Sequence, residues 1–227
     1  LAYKAIDERR RFSGDRTGVK VTIAKRIPAM AGLGGGSSDA VATLRGLNLY
    51  HGLPYTNKDL SVVAEKLGSD CPFFLHDGIG HAIGRGEKVR IISGTEQNEI
   101  NGQRIFLFQP PIGFSTPLIY KALAANGSYS DPCWAKKVVQ EWEAGERSVS
   151  DFCHNDFESV LLSKYLFLKP IFEELRDCFG LSFQVSGSGS SCFCLVSESV
   201  DEKPVRDLIF RSLGLEAGFW VSRIRLN

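Results

Sequence analysis

The chain has 227 residues, of which 43% are hydrophobic and 23% are charged, and its formal net charge is +1. This composition is ordinary for a globular protein and excludes a chain that is disordered throughout. The small net charge gives no reason to expect nucleic acid or membrane partners, and no apolar run approaches the roughly 20 residues of a membrane-spanning helix.

The cysteines and the start of the chain carry further information. No two of the six cysteines form a C-x-x-C pair, which disfavours a zinc ribbon, so we expect reduced, partly buried thiols in a cytoplasmic protein. The chain begins at Leu1, and its only methionine is Met30. Leu1–Arg11 has the pattern of a helix with no capping residue before it. We therefore expect a fragment that lacks its natural N-terminus.

The first half of the chain predicts helices and strands around a glycine-rich turn. Alternating apolar and polar residues indicate strands, and apolar residues at helical spacing indicate helices. In chain order, the predicted elements are a strand over Val19–Lys25, a helix that Ser37–Asp39 caps and Gly52–Pro54 stops, a helix over Asn57–Leu67, and strands over Gly80–Ile83 and Lys88–Ile92.

The polar stretch Ser93–Asn101 is the best candidate for a domain boundary, which predicts domains over residues 1–100 and 101–227. Beyond it we predict a strand over Arg104–Gln109, a helix from Ser115, and a mainly helical stretch over 126–163 with a loop near 145–151. A helix over Tyr165–Phe179 follows, then strands over Ser182–Ser186 and Cys192–Val196. The last predicted elements are a helix over Val200–Leu213 and a strand over Phe219–Arg225. This order is the split βαβ, ferredoxin-like arrangement with extra helices in its first crossover.

The turn Gly32–Ser38, with sequence GLGGGSS, lies between a predicted strand and a predicted helix. Glycines without Cβ atoms let consecutive N–H groups point into one concavity, and the unpaired N–H groups of a helix start favour an anion. The turn lacks the lysine of a Walker A loop and the spacing of a dinucleotide fingerprint. It therefore predicts a phosphate site of another kind, the alternative being a glycine-rich helix entry with no ligand.

Three other segments are candidates for function. In Ser69–Phe74, an aspartate between a serine and an apolar wall is a candidate base with restricted solvation, or else a turn aspartate that caps the local backbone. Gly187–Ser191 is a second glycine-rich turn, or a flexible hairpin. Asn155–Glu158 indicates a helix cap, to which we assign no chemistry. The four histidines have no metal-ligand spacing.

Together, Pro28–Ala40, Ser69–Phe74 and Gly187–Ser191 resemble, in order and spacing, motifs of the GHMP kinases, a family of small-molecule kinases that use ATP. The resemblance extends over residues 19–225. It implies an α+β, two-domain fold, with an N-terminal domain like ribosomal protein S5, incomplete here, and a C-terminal ferredoxin-like domain. The triple glycine followed by Ser-Ser-Asp-Ala is most similar to the branch that phosphorylates a cytidine diphosphate-linked methylerythritol in non-mevalonate isoprenoid synthesis.

The resemblance also implies roles for individual residues. The catalytic residue would be Asp70, and the ATP-binding residues would be Gly32, Leu33, Gly34, Gly35, Gly36, Ser37, Ser38 and Asp39, with Ser38 also near Mg²⁺. The substrate-binding residues would be Arg85, Pro117, Tyr120, Lys121, Gly187, Ser188 and Gly189. From the residues alone, Arg85 could equally be a solvated charge in a hairpin, and Tyr120 could serve in packing.

Further implied properties are ATP and Mg²⁺ as cofactors, a small-molecule substrate as partner, a monomer or homodimer, and a location in the bacterial cytoplasm or in a plastid. The chain departs from the family in one respect. The family's P-[AG]-K-[LIV]-N strand and the aromatic–histidine pair after it are not found, and Lys20 and Lys25 lie on a different predicted strand. Another GHMP kinase, for homoserine or phosphomevalonate, and a nucleotide-binding fragment without catalysis therefore stay open as alternatives.

Overall fold

The computed structural model describes residues 1–52, 55–92, 100–127, 129–146 and 153–226. These residues form two compact units, which we treat one at a time. The first contains residues 1–29, the described residues of 34–93, and Leu226. The second contains residues 30–33 and the described residues of 94–225. Most of the expected boundary at Ser93–Asn101 and of the expected loop near 145–151 lies outside the described residues.

The first unit consists mainly of helices. Its elements are α1 (Ala2–Ser13), α2 (Gly35–Tyr50), α3 (Asn57–Leu67), a short 3-10 helix (Pro72–Leu75), and the strands β1 (Ile79–Ile83) and β2 (Lys88–Ile92). The strands form an antiparallel hairpin. Helix α3 has the predicted bounds because Thr56 and Asp59 form a capping box at its start. Val41, Leu44 and Val63 belong to a core cluster that α1, α2 and α3 share.

The prediction of a strand over Val19–Lys25 is wrong, because the structure has no strand between residues 14 and 34. A strand needs a neighbouring backbone with which to form a ladder, and no described segment pairs with this one. Residues 18–24 instead line an open cavity of about 710 Å³ together with one face of α2. In a half-buried strand the apolar Val21 and Ile23 would lie on the buried face, but they are 40% and 45% exposed.

The second unit contains a four-stranded sheet. Its elements are β3 (Arg104–Gln109), α4 (Thr116–Asn126), α5 (Pro132–Glu143), α6 (Phe157–Lys164), α7 (Leu168–Phe179), β4 (Gln184–Val185), β5 (Cys192–Val196), α8 (Glu202–Leu213) and β6 (Gly218–Arg223). The strand order is β4-β5-β3-β6, with every pair antiparallel. This confirms the predicted ferredoxin-like arrangement, with α4 to α7 in the first crossover.

Helix α7 and strand β4 are each three residues shorter than predicted, and the other predicted elements of this unit differ less. Helix α7 begins at Leu168 rather than Tyr165, because Pro170 lacks an N–H group and fits only the first turn of a helix. Strand β4 has two residues rather than five, and the side chains of Asn155, before α6, and Glu158, in its first turn, bond to the backbone of Val185. The sheet positions Phe106 and Phe108, both fully buried, in the core of this unit. Burying one such side chain stabilises the fold by about 1.5–3 kcal/mol.

None of the six cysteines is in a disulfide, and Cys71, Cys192 and Cys194 are buried. Burial raises the pKa of the Cys192 thiol well above its usual value, and the nearby Glu158 adds to this effect. A thiol of this kind stays protonated and acts as a small apolar side chain. In the part of the chain that the structure describes, every helix is too short or too polar to cross a membrane.

Candidate active site

The glycine-rich turn leads directly into helix α2. Gly34 is the residue before the helix, with a left-handed φ of +63°, and no side chain caps the first turn. The expectation that Ser37 and Ser38 cap the helix is wrong, because α2 begins at Gly35 and both serines lie inside its first turn. The Ser38 hydroxyl donates back to the Gly35 carbonyl at 3.0 Å. Because Gly34 has no side chain, it cannot cap the first N–H groups of α2, and uncapped N–H groups at a helix start favour an anion.

A lysine and an aspartate lie beside this helix start. Lys25 Nζ and Asp39 Oδ2 form an ion pair at 2.5 Å, and a Cβ atom added to Gly35 would lie 3.0 Å from Lys25 Nζ. Sequence reasoning had assigned Lys25 no role, because the lysine that the family motif requires lies on another strand. The structure places its positive charge beside Gly35, where it offsets the negative charge of Asp39.

The Asp70 turn packs against the same helix start. Phe74 fills the space beside Gly34, since a Cβ atom on Gly34 would lie 2.7 Å from the end of the Phe74 ring. Cys71 is fully buried, and this burial raises the pKa of its thiol, an effect that the Ser37 side chain beside it partly offsets. These contacts place Asp70, the neighbour of Cys71, close to the first turn of α2 within the first unit. Asp70 itself is exposed rather than shielded, because Pro72 and Leu75 turn into the core.

The hairpin between β1 and β2 adjoins the Asp70 turn. A Cβ atom on Gly86 would lie 3.3 Å from the Ser69 carbonyl oxygen, so the hairpin and the turn are in close contact. The backbone N–H of Arg85 donates to Glu87 Oε2 at 2.7 Å, which fixes the tip of the hairpin. Hydrogen bonds from the Glu87 and Arg85 backbone lower the pKa of Glu87. The Arg85 side chain is exposed.

In the second unit, the turn Gly187–Gly189 packs against the residues that precede Gly34. Ser186 Oγ donates to the Gly32 carbonyl at 2.9 Å, and the N–H of Ser190 donates to the Met30 carbonyl at 3.2 Å. A Cβ atom on Gly32 would lie 2.2 Å from the Ser186 carbonyl oxygen, so only glycine fits this position. Within the second unit, Gly32 of the first glycine motif is therefore in direct contact with the second glycine motif.

Helix α4 begins beside the same turn. Thr116 Oγ1 and Ser188 Oγ are hydrogen-bonded at 2.8 Å, a contact that the sequence did not indicate. Tyr120 is 56% exposed and its ring meets the Phe157 ring edge-on, with the ring centroids 4.7 Å apart. Pro117 and Lys121 are also exposed. Hence Tyr120 is more than half exposed while its ring packs against that of Phe157.

Each unit thus contains part of the expected site. In the first unit, the structure brings together Gly34–Asp39, Asp70 and the Arg85 hairpin. In the second unit it brings together Gly32 and Gly187–Gly189, with α4 beside them. Lys25 and Thr116 were missed because a lone lysine or threonine has no spacing pattern, and only the fold shows which neighbours it acquires.

Two parts of the chain match models of known protein families. Residues 1–78 match the GHMP kinases N terminal domain, and residues 135–212 match the GHMP kinases C terminal domain. The matched stretches contain the glycine turn, Asp70 and the second glycine turn.

Full-length sequences give a consistent result. The 4-diphosphocytidyl-2-C-methyl-D-erythritol kinase of Pseudothermotoga lettingae is 31% identical over 92% of this chain and 74% of its own length. The enzyme of the same name from Geobacter sulfurreducens is 33% identical over 87% of this chain and 67% of its own length. A crystal structure of 4-(cytidine 5'-diphospho)-2C-methyl-D-erythritol kinase superposes with a TM-score of 0.70 at 28% identity, covering 97% of this chain and 76% of that one.

Proposed function

This chain belongs to the GHMP kinase family, and we propose that it transfers the γ-phosphoryl group of ATP to the 2-hydroxyl of 4-diphosphocytidyl-2-C-methyl-D-erythritol. The observation that carries the proposal is the packing of the Asp70 turn on the first turn of α2. The Phe74–Gly34 contact and the fully buried Cys71 fix the Asp70 turn beside a helix start that suits phosphate. The names of the relatives support the choice of acceptor.

In this proposal, the glycine-rich turn binds the phosphates of ATP. Backbone N–H groups from Leu33 to Ser38 would bind the phosphates of ATP, assisted by the positive end of the α2 dipole. Lys25 would add positive charge beside Gly35, in the place where it now pairs with Asp39. Phosphoryl transfer requires mainly positioning and charge stabilisation from the protein, and this arrangement provides both.

The role assigned to Asp70 is that of the base. Its carboxylate would orient the acceptor hydroxyl and accept its proton as the phosphoryl group is transferred. The exposed position of Asp70 leaves it accessible to an acceptor. The cytosine ring would stack on Tyr120, with Pro117 and Lys121 on the same helix, and Arg85 would contact the cytidine diphosphate.

Mg²⁺ is compatible with the side chains present. In the described residues, no cluster of three or more histidine, cysteine, aspartate or glutamate side chains could hold a metal by itself. Magnesium at kinase sites takes most of its ligands from phosphates and water, and needs only one or two protein oxygens. Ser38 Oγ and the Asp39 carboxylate would supply such oxygen ligands at the helix start. The ion would neutralise charge that develops on the phosphates.

A panel of acceptors tests this proposal. The complete protein is incubated with ATP and, separately, with 4-diphosphocytidyl-2-C-methyl-D-erythritol, homoserine and phosphomevalonate, and phosphorylated product is measured. The proposal requires ATP-dependent product with the cytidyl acceptor. Transfer to homoserine or phosphomevalonate but not to the cytidyl acceptor would indicate another GHMP kinase, and nucleotide binding without any transfer would indicate a catalytically incomplete protein.

A further inference from the structure

The segment Asn155–Glu158 makes contacts that a helix cap does not require. Asn155 Oδ1 accepts the Phe157 N–H at 3.0 Å, which is the predicted capping contact. The Asn155 Nδ2 group also donates to two carbonyls, that of Val185 at 2.7 Å and that of Gly187 at 2.8 Å. Capping therefore uses the oxygen of this amide, while both of its N–H donors are directed to β4 and the glycine turn.

Glu158, in the first turn of α6, binds the other backbone group of Val185. Its Oε1 accepts the N–H of Val185 at 2.8 Å. Both backbone groups of Val185 thus bond to side chains, as they would to a neighbouring strand. Val185 lies in β4, which is an edge strand of the sheet, and is 1% exposed. Burial raises the pKa of Glu158, partly offset by the Val185 N–H, so the carboxylate occupies this place at a cost in desolvation.

The residues that this segment holds also hold the start of the phosphate turn. Gly187 follows Ser186, whose hydroxyl donates to the Gly32 carbonyl at 2.9 Å. On the other side of the turn, the N–H of Ser191 donates to the Ala31 carbonyl at 3.0 Å. All of these residues belong to the second unit. A displacement of Gly187 would therefore be transmitted directly to Gly32.

We propose that Asn155 and Glu158 are positioning residues that hold the Gly187–Gly189 turn, and through it Gly32, in the conformation that binds nucleotide phosphate. The proposal rests on the function proposed above for the glycine turn. Neither side chain touches the nucleotide in this account. Both act by fixing backbone, since β4 is too short for sheet hydrogen bonds alone to fix the chain at Gly187.

The sharpest variant is Asn155→Asp. A carboxylate keeps the size of the side chain and the oxygen that caps Phe157, but it loses both donors and faces two carbonyl oxygens with negative charge. Asp156→Asn is the matched control, because Asp156 lies at the same helix start but accepts from the Ser130 N–H at 3.1 Å and contacts His154 instead of the turn. Glu158→Ala and Glu158→Gln form a second pair, since glutamine keeps an acceptor oxygen for the Val185 N–H.

The five proteins, wild type included, are compared in the complete protein for kcat, KM for ATP, KM for the acceptor, thermal midpoint, and amide hydrogen exchange over residues 186–191. We expect Asn155→Asp and Glu158→Ala to raise KM for ATP and to lower kcat. The value of kcat/KM for ATP should fall by about tenfold to a hundredfold, because a misplacement of about 1 Å causes a loss of this size. Exchange over residues 186–191 should increase in both variants, while KM for the acceptor changes little. Glu158→Gln and Asp156→Asn should retain wild-type kcat and KM for ATP.

The outcomes separate this proposal from the proposed function. The positioning role would be overturned if Asn155→Asp had the kcat, the KM for ATP and the amide exchange over residues 186–191 of the wild type. Equal losses of activity in Asn155→Asp and Asp156→Asn, in proportion to lost thermal stability, would also overturn it and leave only a structural role. If the wild type transfers no phosphate but Asn155→Asp still increases exchange over residues 186–191, the proposed function fails while the contact between this segment and the turn stands.

Discussion

Replacing Gly32 with alanine tests whether contact between the two glycine motifs determines the shape of the phosphate turn. Gly32 has φ of +73°, and an added Cβ atom would lie 2.2 Å from the Ser186 carbonyl oxygen and 2.8 Å from that of Gly189. Cβ atoms in proteins essentially never lie within 3.0 Å of another heavy atom. The Ser186 carbonyl oxygen must therefore move away from the alanine Cβ atom by about 0.8 Å. Both atoms are backbone, and neither can rotate away as a side chain would.

The size of the effect follows from two contributions. An alanine in the left-handed region costs about 1 kcal/mol. Forcing backbone apart in a packed region adds about 1–3 kcal/mol. Gly14→Ala is the matched control, because Gly14 has φ of +72° and nothing within 4 Å of an added Cβ atom. We therefore expect Gly14→Ala to lower the free energy of unfolding by about 1 kcal/mol and Gly32→Ala by about 2–4 kcal/mol.

Urea unfolding measures this difference in stability, and ATP-dependent turnover below the unfolding transition measures the loss of function. Gly32→Ala should lower kcat/KM for ATP by about a hundredfold, because the displaced carbonyl lies next to the proposed phosphate turn. Gly14→Ala should retain wild-type kcat/KM. Equal stability and equal kcat/KM in the two variants would refute the claim that Ser186 and Gly32 are in close contact.

Two other substitutions test separate parts of the account. Tyr120→Ala should raise KM for the cytidyl acceptor by about tenfold, because one stacked base is lost. KM for ATP and the thermal midpoint should stay near the wild-type values. An increase in KM for ATP alone would argue against stacking. Hydrogen bonds from the Thr17 side chain and backbone, with Arg9 beside them, hold the pKa of Asp15 well below its usual value. The native carboxylate then stays charged at a pH where the unfolded one is protonated, so Asp15 stabilises the fold above about pH 4 and loses this effect as the pH falls. The stability difference between wild type and Asp15→Asn, measured by urea unfolding, should be constant from pH 7 to about pH 5 and narrow at lower pH; a difference that widens in acid would contradict the assignment.

Much of the fold could be predicted because its signals are local. Helix α3 has a capping box at Thr56 and regular apolar spacing, and strand β3 alternates around Phe106 and Phe108, so both have the predicted bounds. The ferredoxin-like order followed from the sequence of elements alone. The strand over Val19–Lys25 was predicted on equally good alternation and is wrong, because alternation shows which residues could face a core but does not supply a pairing partner.

The candidate site could be predicted only as separate motifs. Glycine spacing indicated the turn at Gly32–Ser38, and an aspartate before Pro-Phe-Phe indicated Asp70. Sequence could not show that Phe74 fills the space beside Gly34, or that Asn155 donates to Gly187, because these contacts join residues far apart in the chain. Asn155 illustrates the limit: the capping contact was predicted from local pattern, but its other two contacts depend on where β4 lies.

The central claim is that Asp70 serves phosphoryl transfer from ATP to the cytidyl acceptor. Its most direct test is the rate of product formation in the complete protein with saturating ATP and 4-diphosphocytidyl-2-C-methyl-D-erythritol, for wild type, Asp70→Asn and Asp77→Asn. Asp77 is an exposed aspartate a short distance along the chain and serves as the control. We predict that Asp70→Asn lowers kcat by about a hundredfold or more, the usual contribution of a general base, while Asp77→Asn leaves it unchanged. Full turnover by Asp70→Asn would contradict the account.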